Sequence, residues 1–66
     1  VKINPPVQAT VNSYAGEQAI YVGDIGYIDE IVTGYKWPIH VTFSESVHDW
    51  FKHGELTYLA TGGMMK

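Results

Sequence analysis

At 66 residues the chain has room for one domain, and a domain of this size buries only about 60% of the surface its unfolded form exposes, so one core of roughly 3–5 kcal/mol net stability is expected. The absence of cysteine excludes a disulfide framework, a thiolate zinc site and a cysteine nucleophile. A net charge of −3 with four lysines and no arginine removes the side chain best suited to bidentate phosphate or guanine recognition and makes generic nucleic-acid affinity weak.

The apolar residues are mainly valine, isoleucine and aromatics, with leucine only at 56 and 59, a mix that favours pleated strands over helices. Pro5 and Pro6 fix φ and remove two donors, so residues 1–6 read as an extended tail that cannot be a central strand. Val7, Ala9 and Val11 then alternate as one face of a first strand. Asn12 to Ala19 has neither period and reads as a loop pinned by Tyr14. Ile20-Tyr21-Val22 ends at the turn formers Gly23-Asp24, after which a long strand begins at Ile25.

Ile28 and Ile31 stand three apart, which breaks strict alternation. Either Asp29-Glu30 forms a bulge or Ile31 belongs to the opposite face, and the strong bending that a small barrel needs favours the bulge. Thr33 to Pro38 is the hairpin connection, with Gly34 free to take a positive φ and Pro38 holding Trp37 extended. Ile39, Val41 and Phe43 alternate against His40 and Thr42 in the cleanest strand signal of the chain. Ser44-Glu45-Ser46 is a polar turn, Val47 to Phe51 a short strand, Lys52 to Leu56 a single 3₁₀ turn, and Thr57-Tyr58-Leu59 a last strand. Five short strands, one long loop and one 3₁₀ turn imply an all-β small barrel over residues 7–60, with a flexible C-terminal tail at 61–66.

The run Gly23-Asp24-Ile25-Gly26-Tyr27-Ile28, then Ile31, then Pro38-Ile39-His40-Val41-Thr42-Phe43, a polar break, and Phe51 to Leu59 with Glu55-Leu56 resembles the SH3-like barrels. The layout is similar to KOW-type modules, the SH3-like subunit of photosystem I, the variable chain of ferredoxin–thioredoxin reductase and stand-alone SH3-like proteins of bacteria and phages. The resemblance implies a five-stranded SH3-like barrel with a 3₁₀ turn before the last strand, but such barrels host many unrelated tasks. The A-L-Y-D-Y run, adjacent tryptophans and late S-x-x-Y segment of the peptide-binding SH3 domains are missing, so PxxP recognition is not implied. RNA-binding KOW modules are basic whereas this chain is acidic, and four scattered lysines suit docking on an acidic redox partner badly.

His40, His48 and His53 match no metal-ligand spacing and read as three separate surface or rim side chains, so no metal or other cofactor is expected. Asp29-Glu30 reads as a solvated pair, since adjacent residues on a regular strand face opposite ways. Ser13, Ser44 and Ser46 have no nucleophile context, and the G-x-x-G at Gly23 lacks the Lys-Ser/Thr ending of a phosphate loop. No catalytic residue is assigned, and the chain is not expected to be an enzyme.

The aromatics exceed what so small a barrel can bury. Tyr35 and Trp37 in the connection, with Tyr14 and Trp50, are the expected anchors for another protein, beside Lys36. A position for Trp37 folded over a barrel end stands equally open. The expectation is a non-enzymatic protein-interaction module, monomeric or weakly homodimeric. Its alternatives are a weak nucleic-acid-binding KOW-like module, stacking bases on aromatics beside Lys36 and Lys52, and an accessory subunit of an enzyme complex. No apolar run approaches the roughly 18 residues that cross a bilayer and the N-terminus lacks a signal-peptide layout, so a cytoplasmic location with no membrane partner is expected.

Overall fold

A computed structural model describes residues 1–59. Five antiparallel strands curl into a half-barrel: β1 (Lys2–Val11), β2 (Ile25–Ile31), β3 (Ile39–Thr42), β4 (His48–Phe51) and β5 (Leu56–Tyr58), with a lone 3₁₀ turn at His53–Glu55 before β5. The order across the sheet is β4-β3-β2-β1-β5. The all-β expectation holds, and the architecture is compatible with an SH3-like small barrel. Residue 60 and the expected tail at 61–66 lie outside the described residues.

The first departure from expectation is at the N-terminus. Residues 1–6 are extended, but β1 starts at Lys2, which pairs with Glu30 of β2, so the segment is strand and not a free tail. The next pair is Val7 with Ile28, and the register shifts between the two. Pro5 and Pro6 occupy that shift, where ladder donors are not required of them. Farther along, Ala9, Thr10 and Val11 have β2 or Asp24 on one side and β5 on the other. One strand is thus irregular at its proline end and fully paired at its core end.

β2 resolves the Ile28/Ile31 question in favour of the bulge. Ile28 pairs with Val41 and Glu30 with His40, so Asp29 is the extra residue on β2. The insertion lets Ile28 and Ile31 both face inward although they are three apart. It also leaves Asp29 and Glu30 together on the outer face, which a regular strand forbids.

The core is Ala9, Val11, Ile20, Ile28, Ile39, Val41, Phe51 and Leu56, with Tyr14, Phe43 and Val47 among the half-buried residues against it. Phe51 is the largest fully buried side chain, and its burial contributes about 2–3 kcal/mol. No polar or charged side chain is buried among the described residues. Gly26 is needed for this packing, because a Cβ there would lie 2.6 Å from Val41 Cγ1 and 2.7 Å from Phe43 Cε2.

The long loop from Asn12 to Asp24 is tied at both ends. The Asn12 amide donates to the Glu55 carbonyl at 2.7 Å and the Gly23 amide to the Val11 carbonyl at 2.9 Å. Gly23 takes a φ of 96° and Gly34, in the β2–β3 connection, 90°, the left-handed region that glycine enters without a Cβ penalty.

Candidate functional site: an acid-lined aromatic cleft

Three elements separated in sequence bound one cleft of about 350 Å³: the long loop through Tyr14 to Glu17, the β2–β3 connection through Trp37, and β4 with the 3₁₀ turn through Asp49, Trp50 and Glu55. Each wall has a local cause. Tyr14 is held by a 2.5 Å hydrogen bond from its hydroxyl to Asp49 Oδ2 and accepts one from the Gln18 amide at 3.0 Å. Its ring packs on Phe51 with centroids 5.3 Å apart, so the loop is anchored to the core through one side chain. Burial, reinforced by the bond to Asp49, pushes the Tyr14 phenol above its ordinary pKa. Gly16 is required beneath it, since a Cβ there would collide with the Tyr14 ring and hydroxyl.

Trp37 is 46% exposed and lies outside the core cluster. Lys36 Nζ stands 5.0 Å and Lys52 Nζ 5.6 Å from its ring centroid, within cation–π range. Two lysines 16 positions apart thus meet at one exposed indole. Trp50 also lines the cleft and is half-buried, with its ring 4.8 Å from that of His40. Glu55 closes the end of the 3₁₀ turn, its carboxylate accepting from the Lys52 amide at 2.9 Å.

No protein-family model, curated protein or solved structure matches this chain. The site must therefore be read from its own chemistry.

Of the residues that the sequence singles out, Tyr14, Trp37 and Trp50 line this cleft, and Lys36 lies against the Trp37 ring without lining it. Tyr35 does not line it. It is 66% exposed on the same connection. Acids around the aromatics accord with the acidic balance of the chain, but which acids converge was not legible in the sequence: Glu17, Asp49 and Glu55 line the cleft and no lysine does. Their convergence depends on how the long loop and the 3₁₀ turn dock against β4, which no local pattern signals.

The outer face of β3 and β4 corrects a second expectation. His40 and His48 are not separate, because His40 Nε2 lies 3.0 Å from His48 Nδ1. The Asp29 carboxylate is no solvated turn acid either: Oδ1 is 2.6 Å from His40 Nδ1, and Oδ2 accepts from the Thr42 hydroxyl at 2.7 Å. Partial burial alone would raise the Asp29 pKa, but the hydrogen bonds from His40 and Thr42 outweigh it and hold the carboxyl below its ordinary value. His53 stands apart, 2.5 Å from the Tyr58 hydroxyl. No helix among the described residues is long and apolar enough to cross a membrane.

Proposed function

We propose that this chain is a non-enzymatic protein-interaction module whose cleft takes an extended segment of a partner protein. The observation that carries this reading is the convergence of Tyr14, Trp37 and Trp50, from three separate segments, on one cleft lined by Glu17, Asp49 and Glu55. Aromatic walls supply contact area with little side-chain entropy to lose, and carboxylates at the lining favour a partner carrying a basic side chain. The stand-alone SH3-like proteins of bacteria and phages that the sequence resembles suggest the setting, an accessory or regulatory protein acting on a larger assembly.

The test is selection of the full chain against a random displayed-peptide library, followed by affinity measurement on the enriched sequences. Enrichment of segments with Lys or Arg beside apolar residues, with binding weakened at least about tenfold by Trp37→Ala, supports the reading. No enrichment over background, or affinity untouched by both Trp37→Ala and Trp50→Ala, overturns it.

One observation favours a second reading. Lys36 and Lys52 both flank the exposed Trp37 ring, an arrangement that suits a stacked base with its phosphates. Titration of a labelled single-stranded oligonucleotide at about 50 mM salt separates the two, since phosphate contacts are strongest at low salt. Saturable binding lost in Lys52→Glu selects this reading.

A further inference from the structure

We propose that His40 and His48 form a two-imidazole site for a late first-row divalent metal ion on the outer face of the sheet. The site is independent of the peptide-binding reading, although Trp50 stands beside both.

Register brings the pair together. His40 lies opposite Trp50, and Thr42 opposite His48, so the two histidines are diagonal neighbours on one face of β3 and β4. The bulge at Asp29 supplies the third part. Its carboxylate is held on one oxygen by the Thr42 hydroxyl at 2.7 Å and on the other by His40 Nδ1 at 2.6 Å. An ionised carboxylate only accepts, so His40 carries hydrogen on Nδ1 and turns Nε2 towards His48 Nδ1 at 3.0 Å.

Metal–nitrogen bonds of about 2.0–2.1 Å with angles between roughly 90° and 109° place two cis nitrogens about 2.8–3.4 Å apart. The observed 3.0 Å falls inside that range. The same distance also serves a hydrogen bond from one ring to the other. A metal ion replaces that bond once the hydrogen on His48 Nδ1 moves to the other nitrogen of the ring. The carboxylate behind His40 is the partner that metal-bound imidazoles characteristically have, fixing tautomer and ring angle before the ion arrives. Access is from the His48 side, which is exposed, since the His40 side chain is only 18% exposed. Among the described residues no group of three ligating side chains exists, so the remaining positions go to water or to a donor from a bound partner. Two imidazoles favour Cu²⁺, Ni²⁺ and Zn²⁺ over Mg²⁺ or Ca²⁺, with Cu²⁺ the tightest.

Trp50 provides the reporter, its ring 4.8 Å from that of His40. In the full chain carrying Trp37→Phe, Trp50 is the sole tryptophan, and titration with CuCl₂ or NiCl₂ should quench it saturably at one ion per chain. Adding His48→Gln should weaken the midpoint at least about tenfold, and adding His53→Gln should leave it unchanged. Copper electron paramagnetic resonance gives an independent count, with two imidazole nitrogens expected. Quenching that does not saturate by about 1 mM, a midpoint the same in His48→Gln, or one coupled imidazole overturns the site.

Discussion

The Tyr14 hydroxyl donates to Asp49 across 35 positions of sequence, and that one bond joins the long loop to β4 while forming a wall of the cleft. Tyr14→Phe removes the hydroxyl that also accepts from the Gln18 amide. A loss of about 1–2 kcal/mol is expected in urea unfolding, together with faster amide exchange through residues 14–18. An unchanged midpoint would place the loop's anchorage in the ring contact with Phe51 instead.

Trp37 contributes little to the fold for its size. It is 46% exposed, and its charged neighbours Lys36 and Lys52 give exposed cation–π contacts of about 1 kcal/mol or less. Trp37→Ala should therefore leave the thermal midpoint within a few degrees of the parent. A drop comparable to that of a core truncation would move the residue into the core.

Asp29 makes stability depend on pH in a defined direction. Its pKa lies below the ordinary carboxyl value, so the ionised form is the one the fold favours. That contribution is complete above the unfolded-state pKa and disappears as pH falls through the lower folded-state value. Asp29→Asn should lower the urea midpoint near neutrality, and its gap from the parent should narrow as pH falls below the ordinary carboxyl range. Parallel midpoints at all pH values would contradict the lowered pKa.

Gly26 tests how tightly the half-barrel is closed. With Val41 Cγ1 and Phe43 Cε2 both inside 2.8 Å of an added Cβ, Gly26→Ala should cost about 1–3 kcal/mol by overpacking. Gly34→Ala meets no neighbour and should cost about 1 kcal/mol through its positive φ alone. Comparing the two by chemical denaturation separates packing from backbone strain.

Much of the fold was legible because it rests on local chemistry. Period-two alternation marked Ile39 and Val41 as inward, turn residues located Gly23 and Gly34, and the three-residue interval from Ile28 to Ile31 pointed to the bulge at Asp29. The excess of aromatics over core volume also singled out Tyr14, Trp37 and Trp50 before any contact was known. Where local rules misled, they were right about the residue and wrong about its company. Pro5 and Pro6 deny a regular ladder, yet β1 passes through them by shifting register.

What only the tertiary structure decided is which distant side chains share a surface. Antiparallel pairing across β3 and β4 set His40 beside His48, and docking of the loop and the 3₁₀ turn on β4 gathered Glu17, Asp49 and Glu55 around the aromatic walls. Alternation tells which face a residue takes. Register and loop closure tell which neighbour it meets there, and those are settled by packing of the whole chain.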